Sequence, residues 1–275
     1  MLSLFRSVSG WPLTLLHRIG AILGWLSWLL SPTYRRRFAQ NAALAGYGFA
    51  QVRAAVAHAG RMVAETPRLW FGPPVPLQWE GTEAVDAAYT ARRGIVFLTP
   101  HMGCFEITAQ GLAERYSAEY GPITVLYRPA RQAALSEVIE TARRREGLET
   151  APTTLAGVRQ MIKALRAGRA VGLLPDQVPP DGMGQWATFF GKPAYTMTLA
   201  ARLALQTGAT PLLVWGERLP AGRGFKLHFQ ALAEPLSSDL ETAVEQINRE
   251  MEGLIRQCPQ QYLWGYGRYK QPRKA

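Results

Sequence analysis

The chain is short of cysteine, of acidic residues and of long uncharged apolar runs, and each shortage narrows what it can be. Only two cysteines, Cys104 and Cys258, occur in 275 residues. They form no CxxC, and no His and Cys cluster with zinc-site spacing surrounds either. A disulfide framework and a structural zinc site are therefore not expected. A reducing, cytosolic setting suits such a chain. No fixed-period repeat and no low-complexity tract is present, which argues against a solenoid or a disordered tail. Acidic residues number 20 against 31 Lys and Arg, a net charge of +11. Such an excess attracts anionic surfaces, whether nucleic acid, anionic lipid or an acidic protein. No DNA- or RNA-binding signature accompanies it, so nucleic acid is not expected as a partner.

The longest apolar stretch is also incomplete. Leu13 to Leu30 reads LTLLHRIGAILGWLSWLL, but His17 and Arg18 interrupt it. The uncharged part from Ile19 is about twelve residues, against about 20 for a spanning helix. A short spanning helix and one lying in the membrane interface both remain open. Ser31-Pro32-Thr33-Tyr34-Arg35 follows in place of a small-x-small cleavage site, against a removed signal peptide. Trp11, Trp25 and Trp28 suit the headgroup level. Arg35, Arg36 and Arg37 outweigh the single Arg6 on the other flank, which places the body on the cytoplasmic side. Residues 1–40 are thus expected as a membrane anchor with its basic flank, and 41–275 as the catalytic domain.

What is there in the body is alternation. Helical patterns are expected near 50–70 (stopping near Pro67), 104–116, 132–145, 155–167, 195–207 and 240–257. Short apolar runs at 95–98, 123–126, 170–174, 212–215 and 225–229 read as strands. Strands alternating with helices predict an α/β fold, a single-domain sheet flanked by helices. In such sheets function collects at the carboxyl ends of strands, which singles out the loops after Leu98, Leu126 and Leu174.

The first loop carries His101, Gly103 and Glu106. With a helix starting near Gly103, Glu106 falls on its first turn, where its carboxylate can accept a hydrogen bond from one imidazole nitrogen. The other nitrogen is then free to take a proton from a hydroxyl. This is the base-and-orienter half of a catalytic triad. No serine is needed if the acceptor's own hydroxyl attacks. Gly103 leaves room for a substrate to approach the backbone. A His at a helix start with a solvated Glu is equally a purely structural arrangement. Cys104 between them can be a nucleophile or a small packed side chain, and packing is the better reading. The second loop carries Arg128 and Arg131, whose planar forks suit phosphate or carboxylate. The third carries Asp176, which can fix Arg128, position an acceptor, or simply make a turn. Phe189 and Phe190 either line an apolar pocket or pack the core.

Together these blocks resemble the late acyltransferases of lipid A biosynthesis. His101-x4-Glu106 matches that family's HX4(D/E) box. Tyr127-Arg128-Pro129 resembles its YRP block, Leu174-Pro175-Asp176-Gln177 its PDQ block, and Phe189-Phe190-Gly191-Lys192-Pro193-Ala194 its FFG-x-x-A segment. Tyr262 to Lys270 looks like its YLW-x-x-x-R-[FY]-K ending. The resemblance covers nearly the whole chain and implies a glycerolipid-acyltransferase-like mixed sheet. It implies that His101 deprotonates an acceptor hydroxyl and Glu106 orients it. Arg128 and Asp176 would be functional, with Arg128 near a substrate phosphate or the developing oxyanion. The donor would be an acyl carrier protein thioester, with no metal or other cofactor, and the acceptor a lipid A precursor at the inner membrane. An acidic carrier suits a chain of net charge +11. Two other readings stay open: an acyltransferase acting on another lysophospholipid or glycolipid acceptor from acyl-CoA or acyl carrier protein, and a lipid-binding scaffold on an inactive transferase fold.

Overall fold

Ile95–Leu98, four apolar residues in a row, form a strand buried on both faces, as a strand in the middle of a parallel sheet must be. The computed structural model describes residues 2–127 and 145–273. Arg128, Arg131 and most of the helix expected near 132–145 lie outside the described residues.

Seven strands form the main sheet: β1 (Leu77–Glu80), β2 (Ile95–Leu98), β3 (Ile123–Tyr127), β4 (Leu148–Pro152), β5 (Ala170–Leu173), β8 (Thr210–Arg218) and β9 (Phe225–Ala231). Their order is β1-β9-β8-β2-β5-β3-β4. All neighbours are parallel except β8 and β9, so the sheet is mixed. A separate hairpin joins β6 (Gly184–Phe189) to β7 (Lys192–Met197). Alternate strand residues serve opposite faces. Val96, Leu98, Val171, Leu173 and Leu213 belong to one core, and Ile95, Phe97, Ala170, Leu212 and Val214 to the other. Helices cover both: α6 (Thr82–Thr90) and α7 (Phe105–Tyr120) on one side, α8 (Leu155–Arg166), α9 (Leu199–Thr207) and α10 (Leu240–Gln257) on the other.

The N-terminal segment forms α1 (Leu2–Ser9), α2 (Leu13–Leu30) and α3 (Pro32–Leu44). The corner between α2 and α3 is written in the sequence: Ser31 caps α3, its hydroxyl accepting from the Tyr34 amide at 3.2 Å, and Pro32 opens it. After the single turn α4 (Phe49–Val52) comes α5 (Ala54–Phe71), on which α2 lies. Their approach is close because glycines meet there: a Cβ built on Gly60 would stand 1.9 Å from the Gly20 carbonyl oxygen, and one on Gly24 2.2 Å from that of Val56. α2 buries Leu13, Leu16, His17, Gly20 and Gly24. Its other side exposes Leu15, Ile22, Leu23, Trp25, Leu26, Leu29 and Leu30. By length and composition α2 is able to cross a membrane.

Two expected boundaries differ. The helix expected to stop at Pro67 runs on to Phe71; Pro67 and Leu69 are buried, and that packing offsets the lost hydrogen bond. The helix expected from Tyr195 begins at Leu199, because Tyr195 to Met197 belong to β7. The turn of that hairpin, Phe190-Gly191, has φ of +46° and +72°, the left-handed pair that a two-residue hairpin needs.

Candidate active site

The register of two strands builds the site. Leu98 of β2 faces Leu173 of β5 in a parallel pair. Each strand then runs through a proline, Pro100 or Pro175, to a polar residue three positions on. Those residues, His101 and Asp176, meet. Nδ1 of His101 lies 2.6 Å from Oδ1 of Asp176, and the His101 amide donates to Oδ2 at 2.9 Å. The Asp176 side chain is 2% exposed and that of His101 19%, so the carboxylate is sealed and the imidazole reachable. Burial works to raise the Asp176 pKa, but the charge of His101 and its two hydrogen bonds overcome this and hold the carboxyl below its ordinary range.

This corrects the expected partner of His101. Nδ1 is taken by Asp176, from a loop 75 residues away, while Glu106 accepts a hydrogen bond from the Trp70 indole at 3.2 Å. Glu106 does fall on the first turn of α7. That helix starts at Phe105, whose ring stands edge-on to His101 with centroids 5.1 Å apart.

Gly103 has φ +56°, and a Cβ there would lie 1.9 Å from the Gly216 carbonyl oxygen. Its amide donates to Gln261 and its oxygen accepts from Arg218. The space expected for a substrate beside it is filled by β8, so Gly103 locks the loop to the sheet. Cys104 is buried, and burial pushes its thiol well above the ordinary value, which leaves it unsuited to nucleophilic attack. Phe189 and Phe190 are core residues, packed on each other and, through Phe190, on Trp264.

An apolar pocket opens beside Phe105, the residue whose ring meets that of His101. Phe97, Phe105, Leu112, Leu126, Gly172 and Val214 line it, with Glu106 and Trp70 among its polar edges. Behind Asp176 stands the C-terminal block. The Leu263 amide donates to the His101 carbonyl. Arg268, 2% exposed, donates to the Tyr195 carbonyl at 2.7 Å and to Thr196 Oγ1 at 2.6 Å and lies over Phe189. These residues join the hairpin to the His101 loop. A second buried network was not foreseen: Arg218 on β8 binds both oxygens of Glu65 on α5, and His17 of α2 adds a third contact at 2.9 Å. A lone acid within an amphipathic helix was its sole sequence signal.

The sealed acid, the reachable imidazole and the adjoining apolar pocket suit proton transfer from a hydroxyl beside an acyl chain. The family described as bacterial lipid A biosynthesis acyltransferase matches residues 5–271. The lipid A biosynthesis palmitoleoyltransferase of Escherichia coli (strain K12) is 27% identical over 218 residues, covering 77% of this chain and 68% of that protein. The lauroyltransferase of the same organism is 26% identical over 219 residues, covering 77% and 69%. An acyltransferase of Haemophilus influenzae is 22% identical over 184 residues, covering 67% and 56%. With the match spanning almost the entire sequence, the chain belongs to the bacterial lipid A biosynthesis acyltransferases.

Proposed function

We propose that the protein transfers a fatty-acyl group from an acyl carrier protein thioester to a hydroxyl of a lipid A precursor, with His101 as general base. The contact that carries this reading is the His101–Asp176 pair at 2.6 Å. Asp176 accepts a hydrogen bond from Nδ1–H and so fixes the tautomer in which Nε2 is the free base. Nε2 removes the acceptor proton as the oxygen attacks the thioester carbonyl. The tetrahedral intermediate collapses, the C–S bond breaks, and the imidazolium returns its proton to the carrier thiolate. Glu106, on the first turn of the helix that begins with Phe105, is assigned a second negative charge that favours the imidazolium while it exists. Arg128 and Arg131 are assigned on the sequence motif alone, Arg128 to the oxyanion or a substrate phosphate. The part of the acyl chain nearest the thioester enters the pocket beside Phe105. No metal or cofactor takes part in these steps.

The same reading places α2 flat in the membrane interface. Its buried face is committed to α5, and its exposed face is apolar. A helix that binds its own domain along one side is suited to lie on a bilayer. The inner membrane and its cytoplasmic face follow from the substrates, and Arg35 to Arg37 add attraction to anionic headgroups there.

Mass spectrometry of lipid A from cells with and without the protein tests the reaction. One fatty-acyl mass is lost without it, regained with the wild type and not with His101→Ala. Unchanged lipid A in its absence would overturn the assignment.

A further inference from the structure

A polar cavity of about 380 Å³ lies on the far side of the Gly103 loop, between α2, α5 and the turn from β8 to β9. Thr14, His17, Arg18, His58, Arg61 and Arg218 contribute to its wall. The mechanism uses none of them. Glu65 is neutralised by Arg218. Glu217, also on the wall, is engaged by His228 at 2.9 Å. Among the described residues no carboxylate lies within ion-pair distance of Arg61 or Arg18. With Arg218 paired to Glu65, the cavity wall still carries two cations, Arg18 and Arg61, against the single carboxylate of Glu217, which lies within ion-pair distance of neither.

His58 sharpens the point. Its Nδ1 lies 2.9 Å from Arg218 Nη1 and its Nε2 3.1 Å from Arg61 Nη1. Burial and the two guanidinium groups push its pKa down to about 3, so the ring is neutral. A neutral imidazole has one acceptor nitrogen and one N–H. One of the two contacts therefore sets a donor against a donor. An anion oxygen beside Arg61 and His58 accepts from both and removes the conflict.

We infer that this cavity binds the phosphate of an anionic membrane phospholipid. The neighbouring helix surface favours a lipid over a free ion. Arg18 stands one turn before Ile22 on α2, and Ile22, Trp25 and Leu29 continue the same exposed side. A phosphate in the cavity would leave its acyl chains beside that apolar stripe. The site differs from the acceptor site at His101, and the inference rests on α2 lying in the membrane interface.

The test is sedimentation of the full chain with vesicles of phosphatidylcholine alone or doped with phosphatidic acid. The wild type is expected to bind both, and the doped vesicles more tightly. The double variant Arg18→Gln, Arg61→Gln should lose about tenfold of that binding to doped vesicles and none to neutral ones. Arg93→Gln with Arg166→Gln removes the same charge from exposed positions elsewhere and should lose much less. Arg61→Lys should keep most of the gain, which separates lost charge from a folding defect. Equal loss in both double variants would overturn the proposal in favour of diffuse attraction. A wild-type melting temperature raised by inorganic phosphate, with no preference for phosphatidic acid, would overturn it in favour of a free-phosphate site. Failure of the wild type to bind either vesicle would overturn the placement of α2 and the proposal with it.

Discussion

His101 and Asp176 stand three residues beyond Leu98 and Leu173, the matched residues of two parallel strands, and are joined by two hydrogen bonds. Sheet register sets the distance between His101 and Asp176. Because Asp176 receives both the ring N–H and the backbone amide of His101, it fixes the tautomer and the loop together.

Asp176→Asn is therefore expected to lower kcat by about three to four orders of magnitude, since the amide favours the wrong tautomer. Glu106→Gln, which keeps an acceptor for Trp70, should lower it by about one to two, the loss of one nearby charge. Steady-state kinetics on both variants with carrier-bound donor would check the order. A larger loss for Glu106→Gln would return the orienting role to the residue that sequence spacing favours.

The sheet and most helices were legible in the sequence because buried parallel strands read as short apolar runs and helices as amphipathic ones. His101, Asp176 and Glu106 were legible as candidates because they follow strand ends. The partnership of His101 was not. Spacing along the chain favours Glu106 five residues on, whereas the bond to Asp176 depends on β2 lying beside β5, a long-range register that no local pattern encodes. β1 and β4 were missed because they are short and half-exposed, with burial alternating or weak. Glu65 was missed because its partner Arg218 lies 153 residues away.

Glu65 and His58 together make stability pH-dependent. Burial works against the Glu65 carboxylate, but Arg218 and His17 hold its pKa down to about 2, against 4.5 ordinarily. Its contribution is present above the ordinary carboxylate value and is lost as pH falls towards 2. His58 is pushed down to about 3 from 6.5, so the unfolded chain gains a proton below pH 6.5 that the folded one refuses. Both effects lower stability on acidification. Melting curves between pH 7 and pH 5 should show a loss of about 1–2 kcal/mol from His58, one that His58→Gln abolishes. Glu65→Gln should cost about 3 kcal/mol at pH 7 by leaving Arg218 buried without its counter-charge.

Two glycines within helices should respond to alanine in opposite ways. At Gly60 a Cβ meets the backbone of α2 at 1.9 Å, whereas at Gly253 on α10 it meets nothing within 4 Å. Gly60→Ala must push α2 from α5 and is expected to cost about 1–3 kcal/mol. Gly253→Ala should add about 0.5–1 kcal/mol through helix propensity alone. Denaturant melts of the two variants give the comparison, and a neutral Gly60→Ala would mean that α2 is only loosely docked.

Gly172 offers a handle on acyl-chain length. It lies on β5 in the wall of the apolar pocket, one strand from Leu98 and His101. A Cβ there would make only ordinary contact, 3.4 Å from a methyl group of Val125, so the backbone tolerates a side chain that projects into the pocket. Gly172→Val adds three carbons to that wall. If the acyl chain passes it, the longest accepted donors are excluded, and each methylene that loses its place costs about 0.8 kcal/mol, roughly fourfold in kcat/KM. The expected result is a shift to shorter chains with His101 chemistry intact, so that short donors react at close to the wild-type rate. Mass spectrometry of lipid acylated by the variant, supplied with a mixture of carrier-bound donors, reads the shift directly. An unchanged chain profile at full activity would place the acyl chain elsewhere, whereas loss of all donors alike would point to damage at β5 and to the register that holds Asp176 on His101.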